Sequence, residues 1–144
     1  MTVSELLAKT RIEVSPETFH IVSVSPADWA RLLENPELSP DMKSPFLIFK
    51  DRWEITLVLH DIDFEKVSYA LRDAKKQMNL RLISFDVELE FDVVGFMARI
   101  ALIFAEAGIS ILPFSSYSRD HVLIRQEDLA IALKAFRGHV RDVC

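Results

Sequence analysis

Two residue types that often announce chemistry are nearly missing from this 144-residue chain, which holds one cysteine and three glycines. The cysteine, Cys144, is the last residue and has no partner in the chain. A disulfide framework is therefore excluded and a reducing compartment, the cytoplasm, is the natural expectation. At a terminus the thiol reads as a bystander, not a nucleophile. With only Gly95, Gly108 and Gly138 available, no glycine-rich phosphate loop can be built, and no G-x-S-x-G elbow occurs. Basic charge is short as well: 17 Lys and Arg against 22 Asp and Glu leave a net charge of −5. Nucleic-acid binders draw most of their affinity from cationic contacts to phosphate, so nucleic acid is not an expected partner. Long apolar runs are lacking too. The best stretch, Val93 to Ala105, is interrupted by Arg99 and is too short to cross a bilayer, and the N-terminus lacks the basic-then-apolar pattern of a secretory signal. No membrane association is expected. Finally, His20, His60, His121 and His139 are dispersed, without metal-ligand spacing. His60-Asp61-Ile62-Asp63 is better explained as a strand end and helix cap than as a metal site. No metal, no cofactor and no catalysis are expected.

What the chain does have is ample core material: half its residues are hydrophobic and 27% are charged. Thr18 to Val24 is β-branched and half alternating, which predicts a strand. Ser25-Pro26-Ala27-Asp28 then supplies an N-cap hydroxyl, a proline at the first helical position and an acid behind it. A proline-containing loop from Asn35 to Pro45 leads to strands at Phe46–Phe49 and Glu54–Leu59. A helix from about Asp63 carries Phe64, Val67, Leu71 and Ala74 at helical spacing. The same order then recurs. Leu80 to Phe91 reads as a strand, and Val93 to Ala107 as a helix capped by Asp92 and ended by Gly108. Ile109–Leu112 and Val122–Ile124 read as strands, and a last helix begins near Glu127. Two copies of strand, helix, strand, strand, helix predict an α+β chain of two tandem ferredoxin-like repeats, residues 1–78 and 79–144, with antiparallel sheets and helices on one face. Each copy lacks the last strand of a full βαββαβ unit. The extended segment Thr10–Val14 is available to fill one vacancy, so the halves are expected to exchange edge strands.

The chemistry concentrates around the second helix start. An N-cap at Asp92 would place the free amides of Val93, Val94 and Gly95 in the first turn, a seat for a small anion such as a carboxylate. Gly95 costs helix stability, and its missing side chain lets a ligand or a neighbouring backbone come close. From spacing alone a second reading stands beside this one, in which Asp92 is only a cap and Gly95 only permits close packing. The next strand and its exit add hydroxyls at Ser110, Ser115 and Ser116, with Asp120 shortly after. In the helix, Asp92, Arg99 and Glu106 form one narrow polar stripe. A helix so apolar elsewhere is expected to pack on more than its own sheet.

The runs Asp92-Val93-Val94-Gly95-Phe96-Met97-Ala98-Arg99-Ile100, Ala105-Glu106-Ala107-Gly108-Ile109-Ser110-Ile111 and Ser115-Ser116-Tyr117-Ser118-Arg119-Asp120-His121-Val122-Leu123-Ile124 resemble the ACT family. The likeness is to tandem-ACT proteins related to aspartokinase regulatory domains and cytosolic arginine sensors. It covers the second half strongly and the first half by element order. The resemblance implies a regulatory protein that senses a free amino acid at an inter-ACT interface. Asp92, Val93, Val94, Gly95 and Phe96 would then take one side of the ligand, and Ile109, Ser110, Ile111, Ser115 and Ser116 the other. Ser116, Arg119 and His121 depart from residue types usual in the family. The first repeat lacks a glycine at its helix start and is expected to keep no equivalent site. A homodimer and a regulated protein partner are the expected associations. The competing reading is an ACT-type dimerisation or interaction module that binds no ligand.

Overall fold

The computed structural model describes residues 1–143, so the reading of Cys144 lies outside the described residues. In chain order its elements are α1 (Val3–Lys9), β1 (Arg11–Val14), β2 (Phe19–Val24), α2 (Pro26–Leu33), β3 (Leu47–Lys50), β4 (Ile55–His60) and α3 (Asp61–Ser68). There follow β5 (Lys75–Asp86), α4 (Phe96–Glu106), β6 (Leu112–Ser115), β7 (Asp120–Arg125), α5 (Leu129–Phe136) and β8 (Asp142–Val143). They form two compact units, one built from residues 17–80 and the other from residues 1–16 together with 81 onward. The α+β, ferredoxin-like expectation is met, and the division of the chain is interleaved.

In residues 17–80 the strands run β3-β4-β2-β5, all antiparallel, with β5 contributing its first half. With α2 and α3 this is a full βαββαβ unit. The Ser25 hydroxyl accepts from the amide of Asp28 at 3.1 Å and Pro26 opens α2, as the capping signal predicts. Asp28 is itself buried; its carboxylate pairs with Arg31 and accepts from the amides of Arg72 and Asp73 at 3.0 and 2.9 Å. The Asp73 amide, with those of Arg72 and the Arg31 guanidinium, outweighs burial and holds this carboxyl below its ordinary range. The core is made by Val22, Val24, Ile55, Leu57, Leu59, Phe64 and Val67, drawn from alternate strand positions and one helix face.

In the other unit β7 joins β6 to the second half of β5, and β1 pairs antiparallel with β5, Ile12 opposite Phe85. Arg11–Val14 thus takes the place of the strand missing from the second repeat, and β8 adds parallel to it. Leu7 and Ile12 bury fully with Ile83, Phe85, Ile100 and Phe104, and Phe136 meets Phe104 edge-on at 5.0 Å and Phe85 at 5.4 Å.

Several element boundaries differ from the sequence expectation. Helix α3 ends at Ser68, where the amides of Ala70 and Leu71 turn back to the carbonyls of Val67 and Ser68 at 2.9 and 3.2 Å, so Leu71 and Ala74 lie beyond the helix. Strand β5 starts at Lys75, because Lys75 to Gln77 continue the ladder with β2, and it ends at Asp86, after which the Val87 amide turns back to the Phe85 carbonyl at 2.9 Å. Helix α4 starts at Phe96 with Gly95 as its N-cap, not at Val93 with Asp92, because Gly95 sits at φ +91° and the Val93 amide closes a turn on Glu90 at 3.1 Å. Strand β6 starts at Leu112, not Ile109. Gly108, at φ +74°, donates to the Ala105 carbonyl and Ile109 to the Phe104 carbonyl, each at 3.0 Å, which spends Ile109 on the helix stop.

Candidate functional site

A cleft of about 440 Å³ opens beside the start of α4. One wall is the loop after β5, from Leu89 to Val93; the second is Gly95 to Ala98; the third is the turn joining β6 to β7, from Ser115 to Asp120. The helix start supplies its chemistry. Gly95 has no side chain to cap the helix, and the first intrahelical bond is from the Arg99 amide to the Gly95 carbonyl at 3.0 Å. The amides of Phe96, Met97 and Ala98 therefore have no partner within the helix, at its positive end.

The turn supplies charge and rigidity. Asp120 is buried, and its carboxylate accepts from the Ser115 hydroxyl at 2.6 Å. Arg119 donates to Asp86 at 2.9 Å and to the Ser118 hydroxyl at 3.2 Å, so it braces the turn. The Ser116 amide and hydroxyl both donate to the Arg119 carbonyl, at 2.9 and 3.2 Å. Its oxygen then accepts from Nε2 of His121 at 3.0 Å, which leaves Nδ1 to accept from Ser84 at 2.8 Å. The ring stacks on Phe114 at 5.2 Å. Burial pushes the His121 imidazole below its usual pKa, with Arg119 adding to this and Asp120 opposing it. This network holds a neutral ring.

The cleft brings together Val93, Gly95, Phe96, Ser115 and Ser116 of the sequence-predicted residues. Asp92 and Val94 are exposed and off its lining. Ile109 is in the core, Ser110 is exposed and Ile111 is half-buried, and none of the three lines the cleft. Their displacement follows from the two glycine-set boundaries of α4. Glu90, Met97, Tyr117, Arg119 and Asp120 also line the cleft, outside the ten residues expected to take the two sides of the ligand. The hairpin turn between two apolar strands was the available signal for the last three. Nothing in the sequence marks Glu90. Among the described residues there is no group of three or more side chains placed to hold a metal, and no helix long and apolar enough to cross a membrane.

Comparison with known proteins adds three findings. Residues 76–138 match the family model of the ACT domain. No curated protein sequence matches the chain. Among solved structures, a protein from Agrobacterium tumefaciens superposes with a TM-score of 0.70 at 16% identity, covering 94% of this chain and 92% of that one. A Vibrio cholerae protein of unknown function, described as a possible transport protein, gives 0.69 at 26% identity over 94% and 93%. The regulatory subunit of aspartate kinase from Thermus flavus gives 0.69 at 16% identity over 90% and 96%. The ACT match thus covers residues 76–138, less than half of the chain, and the chain as a whole has the fold of aspartate kinase regulatory subunits.

Proposed function

We propose that the cleft beside α4 binds a free amino acid and that the protein regulates through occupancy of this site instead of catalysing a reaction. One observation carries the reading: unpaired helix amides and a buried carboxylate, Asp120, line the same cleft of about 440 Å³. A zwitterion needs both. Its carboxylate would sit against the amides of Phe96, Met97 and Ala98, where the helix dipole favours negative charge. Its ammonium would face Asp120, with Glu90 at the edge of the cleft. The volume lies within the roughly 300–1,000 Å³ usual for small-molecule pockets. The ACT match and the fold shared with an aspartate kinase regulatory subunit support the same class of role.

A thermal-shift screen of the intact chain against the twenty amino acids tests this. A ligand at a hundredfold over its Kd should stabilise the fold by about 2.7 kcal/mol. Ala98→Glu sharpens the result, because Ala98 is exposed at the third position of α4. A carboxylate there suits the helix dipole, by about 0.3–1 kcal/mol, yet it occupies the anion seat. The variant should keep or raise its own Tm and lose the ligand-induced shift. A panel with no stabilising amino acid would favour the interaction-module reading.

A further inference from the structure

A second cleft, of about 300 Å³, opens in residues 17–80, where the end of β2, the start of α2 and the turn between β3 and β4 meet. In the βαββαβ order this is the place that the first cleft holds in the other unit: strand end, helix start, and the turn between second and third strands. The sequence expectation gave this repeat no site, since Ser25-Pro26 replaces a glycine. The chemistry is indeed different. Pro26 has no amide hydrogen and the Ser25 hydroxyl takes the Asp28 amide, so the helix start offers an anion little.

Cationic side chains stand there instead. Lys50 ends β3, Arg52 lies in the turn and Lys75 begins β5, and all three line the cleft. None of the ion pairs among the described residues involves any of the three. The turn that carries Arg52 is fixed: Asp51 accepts from the amides of Trp53 and Glu54, each at 2.8 Å. Glu54, one of two acids on the lining, is engaged by the Ser23 hydroxyl at 3.3 Å. The Trp53 indole, 81% exposed, lines the cleft beside the cations. The ring offers a flat apolar face beside the cations, of which Lys50 donates from Nζ to the Asp51 carbonyl at 3.1 Å.

We propose that this cleft is a second ligand site, which takes a small anion carrying at least two negative charges. Lys50, Arg52 and Lys75 would hold it, and Trp53 would lie against it. A single exposed charge pair is weak and screened in water, so a ligand must engage two cations at once. The Arg52 fork suits phosphate and carboxylate oxygens alike. This site is separate from the amino-acid reading and does not depend on it.

The test titrates the full chain with pyrophosphate and, separately, with succinate, at ionic strength held constant with sodium chloride. Trp29→Phe leaves Trp53 as the reporting tryptophan, and amide chemical shifts are followed in parallel. Saturable change in Trp53 emission, with shifts confined to residues 23–26, 50–55 and 73–75, is expected for at least one probe. Saturation by pyrophosphate alone assigns a phosphate ligand; saturation by succinate alone assigns a dicarboxylate. The double variant Arg52→Gln, Lys75→Gln should bind about tenfold or more weakly, by loss of charge-assisted bonds. Both positions are exposed, so its urea unfolding should match the parent's. Linear, unsaturated shifts, saturable shifts at residues 89–98 and 115–120 instead, or unchanged affinity in the double variant would each overturn the proposal.

Discussion

His121 shows how one side chain braces a residue of a cleft it does not line, through its bond to Ser116. Held between Ser84 and Ser116 and stacked on Phe114, its ring is matched to the neutral state, and burial lowers its pKa. A base whose folded-state pKa is lowered leaves the unfolded chain binding more protons just below the ordinary histidine value, about 6.5. Its contribution to stability is therefore complete above that value and is lost as the pH falls beneath it. The unfolding free energy from urea titration should drop between pH 7 and pH 5. In His121→Gln that drop should be smaller, and the difference between the two proteins isolates this residue. Equal slopes would mean the ring is not held neutral. None of this was legible beforehand, because the partners that set the ring state, Ser84 and Ser116, lie 37 and 5 positions away. The hydroxyls Ser115 and Ser116 were legible as cleft candidates, since their exit from an apolar strand marks a turn.

At the level of elements, apolar period and capping residues located nearly every strand and helix, and Ser25-Pro26 fixed the start of α2 to the residue. Two of the errors arise where the sign of φ decides. Gly95 at φ +91° moves the start of α4 three residues, from Val93 to Phe96, and the helix stop built on Gly108 removes Ile109 from β6. A glycine in a sequence announces freedom, not which hand the chain takes there. Gly95 is constrained by conformation more than by space: a Cβ built on it would meet only Val3 Cγ2, at an ordinary 3.8 Å. Gly95→Ala should therefore cost about 1–2 kcal/mol of backbone strain, without steric disruption, in urea unfolding. No measurable loss would show that the start of α4 does not need the left-handed turn, and the first residues of the cleft wall would have to be redrawn.

Along the whole chain, residues 17–80 fall in sequence between the two segments of the other unit, and the β5 segment is shared, divided between Leu80 and Arg81. The repeat was visible as element order, and the spare extended segment at Thr10–Val14 hinted at a shared strand. What order alone could not reveal is that α1 comes with it, because Leu7 buries against the same core as Ile12. Removing residues 1–16 should strip Leu7 and Ile12 from that core and leave Ile83 to Asp86 without their β1 partners. Hydrogen exchange should then show lost protection at residues 81–143, with residues 17–80 less affected. Uniform loss throughout would mean that the units do not open separately. The interleaving also has a kinetic side. A chain growing from the ribosome completes every strand of the 17–80 unit while Arg11–Val14 still waits for its mate, some seventy residues downstream. Vectorial synthesis therefore favours assembly of the inserted unit first, and closure of the outer one as a late, long-range event.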